Sequence, residues 1–170
     1  LILLDDILAA RGDVARALAA ADALTRADSA NAAALVAAGD ALVGRGDTAA
    51  ARPYFARAAA LDTLAIAPAL YLAALATRGG DNASAAAELS AVLARVERNR
   101  RFLDGILHTP AAGLYYMAKL RLSAACLNLN EWDQARQQAE AVLKLVPGHK
   151  TAQQLLNSAK DRKVPEDVRW

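Results

Sequence analysis

Two histidines, one cysteine and a short arginine run are the residues whose types could support chemistry. A zinc site needs several His, Cys or carboxylate ligands at helical or hairpin spacing. His108 and His149 have no such company, and both read as surface or loop residues. A nucleophilic cysteine needs neighbours that lower its pKa. Cys126 sits instead among apolar residues at an inward-facing position, which predicts a buried, inert thiol. A single Cys also excludes an intramolecular disulfide framework and a cysteine-rich zinc site. Gly79-Gly80-Asp81 reads as a turn between helices, because no Walker lysine follows it, and no G-x-S-x-G elbow occurs anywhere. The carboxylates fall at turns and on exposed helix positions. The expectation is a chain that is not an enzyme and requires no cofactor and no metal.

Arg95, Arg98, Arg100 and Arg101 form the one basic cluster, with Phe102 as the adjacent aromatic. Nucleic-acid binding calls for a longer basic stripe, often interleaved with aromatics, so it is not expected. Two readings stay open. One is a solvated helix end, where cations suit the C-terminal dipole. The other is a secondary patch for an acidic protein partner. The formal net charge of +2 is too small to imply a nucleic-acid or membrane partner. It is unevenly spread, with −2 over residues 1–85 and +4 over residues 86–170. Two binding surfaces or drift between repeats would account for this equally well.

The elements that must position these residues follow from composition. Of 170 residues, 55% are hydrophobic, 5% aromatic and 22% charged, with 45 Ala, nine Gly and five Pro. So much Ala and so few β-branched and aromatic residues argue for an all-α chain. The apolar start Leu1-Ile2-Leu3-Leu4 meets Asp5 and Asp6 at once and has no basic residues before it, unlike a secretory signal. No 18-residue apolar stretch free of charge is present. The absence of an initial Met suggests a piece of a longer protein. The compartment stays open; a single Cys and no signal are compatible with the cytoplasm.

The strongest pattern is a period. Gly-Asp dipeptides occur at Gly12-Asp13, Gly46-Asp47 and Gly80-Asp81, 34 residues apart. Ala17, Ala51 and Ala85 follow five residues after each Gly. Each Gly can end a helix in the left-handed conformation, and each Asp can cap the next helix. Asn130-Glu131 stands in for a fourth such turn, with Ala135 at the small position. It is 50 residues beyond the third turn, which is one repeat plus 16. The unit is a helix–turn–helix pair that must stack on its neighbours to bury its apolar faces. Gly39, Ala73 and Ser123 on first helices, with the Ala positions on second helices, permit close crossing. Leu42, Phe55, Leu72, Leu89, Leu122 and Leu143 are the expected core fillers.

On these residues the chain resembles the tetratricopeptide repeat family. Leu35, Ala38-Gly39, Leu42, Ala51, Phe55 and Ala58 match the family pattern in one copy. Leu122-Ser123, Cys126, Trp132, Ala135, Val142 and Pro147 match it in another. The copy from Ile66 lacks the closing Pro, and the first copy is half present. The resemblance implies an all-α, right-handed solenoid of antiparallel helix pairs, read as a single domain over 1–162. Within it stand a half repeat at 1–28, repeats near 32–63, 66–98 and 116–147, an insertion at 96–109 and a capping helix at 149–162. A tail or linker follows at 163–170.

Helices are expected near 2–11, 13–28, 32–45, 48–61, 66–79, 82–98, 111–129, 132–146 and 149–162. Pro68 and Pro110 suit first helical turns. Pro53 is a misfit inside its helix, predicting a local distortion or a later start. The insertion is expected to prolong the preceding helix and then turn at Asp104-Gly105, either as a protruding arm for a partner or as helix plus loop. The last helix reads as a polar cap through Gln153, Gln154, Asn157, Ser158 and Lys160.

The resemblance also implies a concave groove lined by first helices. Carried over, it is formed by Val36, Asp40, Val43, Leu70, Tyr71, Ala74, Met117, Leu120 and Arg121. Members that grip a chaperone's C-terminal carboxylate use Lys, Asn and Arg in this groove. The matching positions here are Val36, Asp40, Tyr71, Met117 and Arg121, of which Arg121 alone agrees, so such tail binding is not expected. An apolar groove suits a partner's amphipathic helix or extended hydrophobic segment. The expected function is a non-catalytic module that binds a protein or peptide there. The alternative is a structural spacer or oligomerisation segment of a larger secretion, exopolysaccharide or chaperone-linked assembly, with self-association as one way to cover the groove.

Overall fold

The computed structural model describes residues 31–164, together with Ala19 and Ala23. The Gly12-Asp13 turn, Ala17 and the helices expected at 2–11 and 13–28 lie outside the described residues, as does the tail from Pro165. Among the described residues there are eight helices and no strand. They are α1 Ala32–Gly44, α2 Thr48–Leu61, α3 Ile66–Arg78, α4 Asn82–Arg98, α5 Arg100–Leu107, α6 Ala112–Asn128, α7 Trp132–Leu145 and α8 Lys150–Asp161. Seven of the eight fall within a residue of the expected bounds; α5 was not expected as a separate helix.

The turns inside the pairs are built alike. Gly46 and Gly80 take φ of 80° and 78°, and Asn130 takes 62°. After α1, the Asp47 N–H donates to Leu42 O (2.9 Å) and the Gly46 N–H to Val43 O (2.9 Å). The same two bonds recur after α3, from Asp81 to Ala76 (2.9 Å) and Gly80 to Thr77 (3.0 Å). They recur after α6, from Glu131 to Cys126 (2.8 Å) and Asn130 to Leu127 (3.1 Å). These pairs satisfy carbonyls that a helix end leaves without partners. The following helix is then capped by the predicted residue. Asp47 accepts from Ala50 N (3.0 Å) and Asp81 from Ser84 N (2.9 Å). Glu131 departs from the pattern and makes no side-chain cap bond, since its longer side chain fits that geometry less well. A fourth such turn closes α8, with Arg162 at φ 52° and the Lys163 N–H on Ser158 O (3.0 Å). No glycine or asparagine marks it, so the sequence pattern did not reveal it.

The chain divides into two compact units, residues 1–72 and 73–170. In the first, α1 packs on α2. Leu35, Ala38 and Leu42 on α1 meet the buried row Ala51, Phe55 and Ala58 on α2. Gly39 lies directly against the Phe55 ring. A Cβ there would stand 2.6 Å from Phe55 Cε1, well inside van der Waals contact. Phe55 is fully buried and stacks on Tyr71, with ring centroids 4.4 Å apart and planes 3° apart. Pro53 does not break α2, and the helix does not begin late. Pro53 and Ala49, whose carbonyl loses its donor, are both exposed, so water can serve that carbonyl.

In the second unit, α4 packs on α6, α6 on α7, and α8 on both α7 and α6. Ser123, fully buried, donates to Ala135 O (2.8 Å), so the small positions of α6 and α7 meet directly. Leu89, Leu122 and Val142 are buried as core, while Leu143, expected with them, is only half-buried. On α8, Ala152, Leu155, Leu156 and Ala159 are buried, and Gln153, Gln154, Asn157 and Lys160 are exposed. Burying the two leucines contributes on the order of 3–5 kcal/mol, which is why a mostly polar helix holds its place.

The insertion differs from expectation. The helix before it ends at Arg98, and Asn99 caps a new helix by accepting from Phe102 N (3.1 Å). Asp104-Gly105 lies inside α5 and makes no turn. Helix α5 rests on α4 with Leu103 buried. Pro110 precedes α6 by two residues instead of entering its first turn.

Candidate functional site

On α1, Val36, Asp40 and Val43 recur at helical spacing along one face. Asp40 is exposed and the two valines are half-buried. Tyr71 on α3 is half-buried behind Phe55. Leu70, expected beside it in the groove, is buried at 6% exposure and offers no side-chain surface to a partner. Leu120 is likewise buried at 5%. Both leucines sit at the margin of the stripe carried over from the family pattern, and packing takes them inward. The surface available to a partner is therefore less apolar than expected.

In the second unit, Ala74, Met117 and Arg121 keep accessible surface, with Met117 41% exposed. Arg121 is half-buried, and its Nε is buried without a hydrogen-bond partner. Burial, and then the charge of Arg78, pull its guanidinium below the usual arginine range. It borders a narrow cavity of about 30 Å³ with Ala74, Thr77, Asn82 and Asn128. Asn128 Nδ2 donates to Asn82 Oδ1 (3.3 Å). A guanidinium beside two carboxamides can orient an acidic or carbonyl group.

One buried polar cluster escaped sequence reasoning. Lys119 is 5% exposed. Its Nζ pairs with Glu97 Oε1 (2.6 Å) and donates to Gln138 Oε1 (3.0 Å). It also lies 5.3 Å from the centroid of the Tyr115 ring, whose hydroxyl donates to the same Glu97 oxygen (2.9 Å). Burial, then the Glu97 hydrogen bond and charge, raise the Tyr115 pKa well above the ordinary phenol. The cluster ties α4, α6 and α7 together across the insertion. Its partners are too far apart in sequence for any local pattern to mark them.

His108 is exposed at the end of α5, its Nδ1 2.7 Å from Asp104 O, and His149 caps α8 by accepting from Ala152 N (3.4 Å). Among the described residues no group of three His, Cys, Asp or Glu could hold a metal ion, and no helix is long and apolar enough to cross a membrane. Cys126 is buried, as expected for an inward repeat position. Burial, then Glu131, push its thiol up to about 12. A raised acid pKa means that the folded state holds the proton more tightly. The stabilisation is complete below the ordinary thiol pKa and is lost as pH rises toward 12. In Ellman titration at pH 8, Cys126 is expected to stay unmodified until the chain is denatured. Prompt labelling of folded protein would contradict this environment.

The four basic residues Arg95, Arg98, Arg100 and Arg101 are all exposed. Arg98 Nε donates to Ala94 O (3.0 Å), and no ion pair among the described residues engages any of the four.

No protein-family model and no curated protein matches the sequence. Solved structures do resemble it in fold. The crystal structure of MamA protein is 20% identical, with a TM-score of 0.70 over 93% of this chain and 78% of that one. The crystal structure of YrrB, described as a TPR protein with an unusual peptide-binding site, is 21% identical. Its TM-score is 0.63 over 95% of this chain and 84% of that one. The fold is that of the tetratricopeptide repeat. The small residues Gly39, Ser123, Ala51, Ala85 and Ala135 are all buried, and Gly39 and Ser123 lie directly against the facing helix, at Phe55 and Ala135.

Proposed function

We propose that the chain is a tetratricopeptide repeat module that binds a partner protein through its first helices, each unit taken by itself: Val36, Asp40 and Val43 on α1 in one, and Met117 and Arg121 on α6 in the other. The observation that carries this reading is Arg121. Its guanidinium is half-buried beside the carboxamides of Asn82 and Asn128, a donor set that can orient a partner's carbonyl or carboxylate. A neighbour of the same fold is described as having a peptide-binding site, which supports the class of ligand. Arg121 would take an acidic or carbonyl group of the partner, and Met117 would give adaptable apolar contact.

Selection of peptides from a displayed library against the full chain tests this. A recovered peptide is expected to lose affinity about tenfold or more with Val36→Glu or with Met117→Glu, according to which unit's surface it occupies, because a desolvated carboxylate is placed in the contact. Both residues keep accessible surface, so the helical circular dichroism should be unchanged. Unaltered binding by both variants would remove these helices from the site. Failure to recover any peptide would favour the spacer reading.

A further inference from the structure

Helix α5 presents a surface of its own beside α4. It has two apolar rows. Leu103 is buried, whereas Phe102 and Ile106 on the adjoining row are only half-buried. That second row borders a shallow cleft of about 510 Å³, together with Asn99, Arg101, Gly105 and Thr109. The volume lies within the range of ligand clefts and leaves room for apolar side chains of a peptide. The charges around it are one-sided. Arg101 lines the cleft, Arg98 and Arg100 flank Asn99 in sequence, and Arg95 lies one turn earlier on α4. None of the four is in an ion pair among the described residues. Of the acidic residues in the same stretch, Glu97 is held by Lys119 and Tyr115, leaving Asp104 as the local counter-charge. The helix is also what the insertion adds to an otherwise regular period, and insertions in repeat arrays tend to sit on a binding face.

We infer that the α5 cleft docks an acidic, amphipathic peptide segment of a partner protein, with an aromatic or branched anchor against Phe102, Gly105 and Ile106 and carboxylates facing Arg98, Arg100 and Arg101. Charge complementarity selects the acid, and the cleft selects the apolar anchor. Nucleic acid is disfavoured because the cation run is short and only one aromatic accompanies it. A lipid surface is disfavoured because the apolar row is one short, concave strip.

Gly105 gives a clean test. A Cβ built there meets nothing within 4 Å, so Gly105→Leu adds bulk at the cleft with no clash at its Cβ while raising helix propensity. The probe is a fluorescein-labelled peptide with a central Leu-Phe pair between runs of Asp and Glu, titrated into the full chain and followed by anisotropy. Binding is expected to weaken about tenfold or more in Gly105→Leu, and about tenfold in the triple variant Arg98→Gln/Arg100→Gln/Arg101→Gln. It should also weaken with added salt, and when the probe's acids become amides. Val36→Glu and Met117→Glu should leave it intact, which separates this surface from the first-helix reading. Full affinity in Gly105→Leu would overturn the proposal. So would equal binding of the amide probe, or binding of an RNA oligonucleotide or anionic vesicles but not the peptide.

Discussion

Phe55→Ala is expected to destabilise the chain by about 3–5 kcal/mol, the range for emptying a fully buried aromatic site. The ring is 0% exposed, covers Gly39 on one helix and stacks on Tyr71 of another. Removing it therefore forfeits transfer energy and two specific contacts at once. The partner substitution, Gly39→Ala, should cost about 1–3 kcal/mol through overpacking, although Ala is the better helix former by about 1 kcal/mol. The ring cannot swing away, because Tyr71 stands parallel to it. The two effects should not add. With the ring gone, the new methyl enters the vacated space, so Gly39→Ala/Phe55→Ala should be no worse than Phe55→Ala alone. Denaturant melts of the four proteins in a double-mutant cycle measure this. Strict additivity would mean that Gly39 is small for some reason other than the ring.

Glu97→Ala is expected to cost about 2–3 kcal/mol. Removing one member of a buried pair typically costs about 3–5 kcal/mol, and the value is reduced here because Glu97 itself is 42% exposed. What remains is a lysine charge 6% exposed, held by one carboxamide and a ring face. Lys119→Met should be nearly neutral or stabilising. It removes the buried charge, fills the same volume, and leaves Glu97 to water and the Tyr115 hydroxyl. The contrast is the informative quantity. If Lys119→Met is as damaging as Glu97→Ala, the pair is a net source of stability and not a compensated burden.

The helix-pair design was readable because it is written locally. Gly46-Asp47 and Gly80-Asp81 specify their turns by what each residue can adopt, and Ala51, Ala85 and Ala135 specify crossings by size. The cluster of Tyr115, Glu97 and Lys119 was not readable. It is a tertiary bargain between helices separated by the insertion, and Lys119 in isolation looks like any surface lysine. Asp104-Gly105 misled because a glycine signals a turn only when no helix can absorb it. Here Asn99 had already capped a helix, and Gly105 faces open space. Leu70 and Leu120 were placed on the groove by family register, but a shift of a few tens of degrees around a helix decides whether a leucine lines a surface or a core.

The left-handed turn after α8 has an engineering consequence. Its backbone bonds repeat those that join α1 to α2, α3 to α4 and α6 to α7. Helix α8 is thus terminated as a first helix is, with its last carbonyls met by the same pair of bonds. Lys163 stands where Asp47 and Asp81 stand after their turns. A second helix grafted at that point, with Asp in place of Lys163, would start in register without any newly designed loop, so the array can be lengthened by copying.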